Sequence, residues 1–242
     1  MSSIEQLVGR QIALGELKRR TEPKVFEPSE ECGRGMTYGP SLLVSRECGS
    51  GGTSLTRLVS ERLRWQVFDR EIVEEVARSA HVRHQLIDSV DERVRHGWSE
   101  FRRKLIEGEG IGREAYLSHL RQVILSLGHL GNVIILGRGA NYILPPECAV
   151  SVRLMAPLEV RIRRVARRDD ISLEKARRRV EQTDAERAEF IREAFGKDVN
   201  SAEDYDLVLH TGECSLEAVA GIVLAKLQAK LHLQLETAPC GK

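Results

Sequence analysis

Residues 41–64 read SLLVSRECGSGGTSLTRLVSERLR, and this stretch restricts the fold more than any other. A short apolar run, SLLVS (41–45), leads into a glycine cluster. Residues 53–64 then carry Leu55, Leu58, Val59 and Leu63 at helical spacing. A buried strand, a glycine loop and an amphipathic helix thus follow one another directly. The alternation continues downstream. QVFD (66–69), NVIILGRGA (132–140), AVSVRLM (149–155) and YDLVLHT (205–211) read as strands, and Leu216 to Leu231 as the closing helix. Apolar strands alternating with helices predict a parallel sheet covered on both faces. In such sheets ligands bind beyond the carboxyl ends of the strands. The segments that follow these strands are residues 46–52, Asp69 with Arg70, Gly137-Arg138-Gly139 and His210-Thr211-Gly212.

The glycine loop invites comparison with the Walker A pattern G-x-x-x-x-G-K-[ST]. Gly49-Ser50-Gly51 falls where the loop belongs, and Thr53 takes the place of the magnesium-binding hydroxyl. Arg46 stands in the slot of the first glycine and Gly52 in that of the lysine. Backbone N–H groups converging at a helix start attract phosphate, and glycines permit both the dihedrals and the close approach. The bland alternative is a strand-to-helix turn with no ligand; the preceding strand and the Thr53 hydroxyl favour phosphate. Phosphoryl transfer rests on positioning and charge neutralisation, so the absent lysine must be replaced from elsewhere. Arg46 and the arginine-rich stretch VRIRRVARRDDISLEKARRR (160–179) are the candidates, each offering a bidentate fork to phosphate oxygens.

The chain has 242 residues, 41% of them hydrophobic, enough for one α/β domain with an insertion or for two small domains. Residues 3–20 have helical rhythm, with Ser3 and Gln6 at capping-box spacing, and residues 21–40, with three prolines, read as a linker. The compact domain is expected over residues 41–231, mostly helical over 71–130, with a tail at 232–242. A net charge of +1 argues against nucleic acid as a partner. Five scattered cysteines without a C-x-x-C pair suggest neither a zinc site nor a disulfide framework. No apolar run approaches the roughly 20 residues that span a bilayer. The expectation is a cytoplasmic protein without membrane contact. The apolar stripe of the N-terminal helix points to a homodimer through that helix. His81 and His84 lack a completing metal ligand, Cys48 reads as an inert thiol, and Ser50 lacks the G-x-S-x-G setting of a hydrolase nucleophile.

SRECGSGG, WQVFDREIVEEVA, VDER (90–93), VIILGRGANYIL and YDLVLHTGECSLEAVAGIV, in that order, resemble the cytidylate kinase-like family of P-loop nucleoside monophosphate kinases across residues 41–231. The resemblance implies a P-loop NTPase-type parallel sheet flanked by helices, a helical acceptor-binding insertion (71–130) and an arginine-rich lid (160–200). It makes the lysine-free GSGG loop a family trait. It implies ATP and Mg2+ as cofactors and a nucleoside monophosphate, CMP or dCMP first, as the acceptor. Arg46, Gly49, Ser50, Gly51, Gly52 and Thr53 would hold ATP, with Thr53 on the metal. Asp69, Arg70, Arg138 and Asp184 would place the acceptor. Arg138, Arg161, Arg164 and Arg187 would neutralise the transferring phosphoryl, with Asp184 and Arg187 three residues apart on one helix face. Gly139 stands where cytidylate kinases carry the aspartate of G-R-D, and Leu136 where they carry a strand-end acid. Simpler roles exist. The arginines of 160–179 could form a solvated face paired with Glu159, Asp169 and Asp170, Asp69 could cap a helix, and Asp91 and Glu92 read as a surface salt bridge. The rival function is a nucleotide-binding regulatory module without phosphotransfer; a third is a kinase for another small acceptor.

Overall fold

A computed structural model describes residues 38–70, Val73 and residues 113–231. Five strands form one sheet: β1 (Ser41–Arg46), β2 (Gln66–Phe68), β3 (Val133–Leu136), β4 (Ala149–Met155) and β5 (Leu207–His210). Their spatial order is β2-β3-β1-β4-β5 and every pairing is parallel. The helices are α1 (Gly52–Leu63), α2 (Arg113–Leu130), α3 (Leu158–Asp169), α4 (Leu173–Phe195) and α5 (Leu216–Leu231). The N-terminal helix, the linker to residue 37, the segment with VDER and the His81/His84 pair, and the tail lie outside the described residues.

The strands are apolar on both faces because both faces are covered. Leu43, Ile135 and Ala149 pack with Leu120, Ile124 and Leu127 of α2. Their neighbours Leu42, Val44, Ile134, Val150 and Val152 point the other way, onto Leu55 and Val59 of α1 and Val223 and Leu227 of α5. Period-2 side chains between two helical layers account for the unbroken apolar runs in the sequence. A smaller cluster of Cys48, Ile162, Val165, Ala176 and Val180 joins α3 and α4 to the glycine loop. Among the described residues no helix is long and apolar enough to cross a membrane.

One segment differs from the expected elements. The strand expected over 132–140 stops at Leu136, because Gly137, Arg138 and Gly139 have φ of 90°, 55° and 65°. Three successive left-handed residues turn the chain out of the sheet. The basic stretch spans two helices, α3 and α4. Asp170, at φ 50°, ends α3, and the Ser172 hydroxyl accepts from the Lys175 N–H to start α4. α4 can therefore fold back over the glycine loop.

Candidate active site

β1 pairs with β3 on one side and β4 on the other, so the crevice beyond its carboxyl end lies where strand order reverses. The glycine loop sits there. Gly49 and Gly51 have φ of 81° and 91°, a conformation that carries a side chain only under strain. A Cβ on Gly49 would stand 2.7 Å from the Arg161 carbonyl oxygen. Gly51 starts α1 with no side chain capping the first turn, which leaves its N–H groups facing solvent or a ligand. Thr53 lies exposed in that turn. Ser50 is buried, its hydroxyl donating to the Glu47 carbonyl at 2.9 Å.

The loop is held from beneath by charge. Glu47 accepts from the Ala156 N–H at 3.0 Å and pairs with Arg161 Nε at 3.2 Å. Arg161 is 8% exposed, donates to the Cys48 and Ala156 carbonyls, and pairs with Asp184 at 2.5 Å. The other Asp184 oxygen accepts from the Cys48 N–H at 2.7 Å. Arg164 donates to both the hydroxyl and the carbonyl of the buried Thr211, and at 3.5 Å to the Gly49 carbonyl. The Thr211 hydroxyl in turn donates to the Ser50 carbonyl at 2.7 Å. Arg161 and Arg164 thus brace the loop, while Arg168, Arg178 and Arg179 of the same stretch form exposed ion pairs.

Beside the loop lies a cavity of about 360 Å3. Arg46, Arg70, Arg138, Arg153 and Arg187 line it, opposed by Glu186, Glu189 and Glu193 of α4. Burial, then the charges of Arg187, Arg70 and Arg138 against the partial relief of Asp69, pulls Arg46 down to about 9. Burial, followed by Arg70 and Arg187, pulls Arg138 to about 10, and burial lowers Arg187 as well. Arg46 and Arg138 stay charged at neutral pH and crowd together with Arg187, so an anion entering the cavity relieves their repulsion. Arg138 stacks over the Phe190 ring at 4.8 Å, and Arg187 donates to the Arg46 carbonyl at 3.1 Å.

The structure brings Arg46, Arg70, Arg138 and Arg187 to this cavity. It sets Gly49, Ser50, Gly51, Gly52, Thr53 and the loop-bracing Arg161, Arg164 and Asp184 beside it. Asp69 follows β2, and its carbonyl accepts from the Val73 N–H at 3.0 Å, as at a helix start. Sequence reasoning missed Arg153, 5% exposed, which donates to Ser45 and Asn200 at 2.9 and 3.1 Å. An arginine inside the apolar run AVSVRLM was the available signal. It also missed Asn141, whose buried Nδ2 finds no acceptor among the described residues and lines the same cavity. Among the described residues no three His, Cys, Asp or Glu side chains form a metal cluster.

A parallel sheet with a glycine loop at its switch point and a cationic cavity alongside is the architecture of a P-loop protein. The chain belongs to the cytidylate kinase-like family, whose sequence model matches residues 43–213. Over 98 residues it is 37% identical to the cytidylate kinase of Ignicoccus hospitalis, covering 40% of this chain and 57% of that one. Over 111 residues it is 34% identical to the cytidylate kinase of Methanopyrus kandleri, covering 42% and 58% respectively. The chain thus spans little more than half the length of these curated relatives. A crystal structure of an uncharacterized protein from Eubacterium ventriosum shares the fold at a TM-score of 0.62 and 16% identity, over 78% of this chain and 98% of that one.

Proposed function

We propose that this protein transfers the γ-phosphoryl group of ATP to a nucleoside monophosphate, with CMP or dCMP as the first candidates. One observation carries the reading: the cluster of five arginines lines a cavity of nucleotide size immediately beside the left-handed glycine loop. The kinship with cytidylate kinases supports it. The loop N–H groups and the first turn of α1 hold the donor phosphates, and Arg70 and Arg138 hold the acceptor phosphate. Arg46 and Arg187, which line the same cavity, offset the charge of the reacting phosphoryl. An acceptor phosphate oxygen forms the new P–O bond as the bond to the β,γ-bridging oxygen breaks, so no protein nucleophile is required.

Magnesium, when bound, would supply positive charge that offsets the phosphate oxygens. The exposed Thr53, in the first turn of α1, is the residue of this chain that would hold it, and an oxygen donor suits this cation. Arg161, Arg164 and Asp184 hold the loop in shape, and the turn between α3 and α4 lets residues 160–200 serve as a lid.

The decisive experiment is a phosphotransfer assay with ATP and magnesium against CMP, dCMP, UMP, AMP, GMP and dTMP, counting diphosphate product. Diphosphate from one pyrimidine monophosphate, lost in Thr53→Ala and Arg138→Ala, is the expected result. ATP binding with no diphosphate from any acceptor would instead leave a nucleotide-binding regulatory module. Gly52 in the lysine slot is the feature that favours that second reading.

A further inference from the structure

Gly52 is a different kind of glycine from its neighbours. Gly49 and Gly51 have left-handed backbones, whereas Gly52 has no positive φ, and its backbone accepts any L residue. What excludes a side chain there is Arg46. A Cβ on Gly52 would stand 2.8 Å from Arg46 Cγ, 3.1 Å from its Cβ and 3.3 Å from its Cδ. The Arg46 stem fills the space that a residue-52 side chain would enter. Its guanidinium continues to the other glycine motif: Nη1 donates to the Leu136 carbonyl at 3.4 Å and would stand 2.5 Å from a Cβ on Gly137. Two glycines, from separate loops, thus form the bed of one arginine.

From this we infer that the cation of the phosphate loop has moved from position 52 to position 46: Arg46 reaches through the lysine's space and presents its guanidinium to the phosphates bound between the loop and the cavity. In G-x-x-x-x-G-K-T the glycine comes first and the cation seventh; here R-E-C-G-S-G-G-T exchanges the two. The exchange is sterically compensated, because the small residue at one position makes room for the long residue at the other. An arginine here also differs from a lysine in function. Its planar fork can engage two oxygens at once, and its position on the cavity wall beside Arg138 and Arg187 lets it contact donor and acceptor phosphates together. The inference rests on the proposed phosphate site but not on turnover.

The test is a charge-relocation series in the full-length protein: Arg46→Met, Arg46→Lys, Gly52→Lys and the double variant Arg46→Gly/Gly52→Lys. Each is measured for ATP affinity by calorimetry, for melting temperature, and for diphosphate formation. Arg46→Met keeps the stem over Gly52 and removes only the charge. It is expected to weaken ATP binding at least about tenfold and turnover about a hundredfold, with the melting temperature held. Arg46→Lys keeps part of both functions. Gly52→Lys alone loses affinity, because two long side chains compete for one space. The double variant, which restores the G-x-x-x-x-G-K-T order, is expected to recover ATP affinity to within about threefold of the native protein. Native-like ATP affinity in Arg46→Met overturns the inference. So does a folded double variant that binds ATP no better than Arg46→Met, or a native protein that does not bind ATP. Recovery of ATP affinity in a protein that yields no diphosphate upholds the relocated cation while refuting phosphotransfer, so the two failures are distinguishable.

Discussion

Individual arginines of this protein fall into two groups that look alike in the sequence. Arg161 and Arg164 spend their guanidinium donors on carbonyls and carboxylates around the loop, whereas Arg46, Arg138 and Arg187 crowd around a cavity. Substitutions separate them. Asp184→Ala removes the partner of the buried Arg161 and the acceptor of the Cys48 N–H, and is expected to cost about 1–3 kcal/mol in denaturant unfolding. Arg138→Ala is expected to leave stability nearly unchanged and to reduce kcat/KM for diphosphate formation about a hundredfold or more. The crowded cations make a further prediction that needs no substrate. Inorganic pyrophosphate at about a hundred times its dissociation constant is expected to stabilise the native protein by about 2.7 kcal/mol, seen as a raised melting temperature, and Arg138→Ala to diminish that gain. The roles of Arg70 and Arg138 as cavity-lining groups could be anticipated from the strand-end motifs. For Arg153 the charge inside the apolar run AVSVRLM marked an unusual position but not its role, because its orientation toward Ser45 and Asn200 depends on pairing with β1.

Elements place these residues through their ends. The glycine loop works because β1 stops and α1 starts within a few left-handed residues, and Gly49→Ala tests it. The added methyl meets the Arg161 carbonyl at 2.7 Å on a backbone with φ of 81°. A loss of about 1–3 kcal/mol is expected, together with weakened ATP affinity. The break between α3 and α4 is a second such end. Ser172→Ala removes the acceptor for the Lys175 N–H and is expected to cost about 1 kcal/mol in thermal or chemical unfolding. The arginine-rich stretch carries no proline or glycine to mark a break between α3 and α4. The break rests on Asp170 adopting φ of 50°, a choice stabilised by the packing of Ile162, Val165, Ala176 and Val180 against Cys48. Local pattern carries no trace of that contact, since its two halves are distant in sequence from the loop they cover.

At the scale of the whole molecule, long-range pairs tie the sheet to its outer helix. Asp206 accepts from the Ser151 N–H and from Lys230 at 2.6 and 2.7 Å. Burial alone would raise its carboxyl, but the bonds from Lys230 and Ser151 outweigh it and hold the group below its ordinary value. A depressed folded-state value means that this contribution is fully present above about pH 4 and is lost as acid titrates through the lower folded value. Asp206→Asn is therefore expected to be less stable than the native protein at pH 7 and to converge with it as acid titrates the carboxyl in unfolding measurements. The sequence by itself determined the class of architecture. Apolar runs of strand length, alternating with helical spacing, can be buried only in a parallel sheet covered on both faces, and a glycine loop after the first strand marks its ligand-binding end. It also placed glycines and arginines at that end. Tertiary structure alone decided which arginines line the cavity and which brace the loop, and that the Arg46 stem lies over Gly52. These are contacts between segments far apart in the chain or between side chains whose direction is set by strand order, and a one-dimensional pattern holds no record of either.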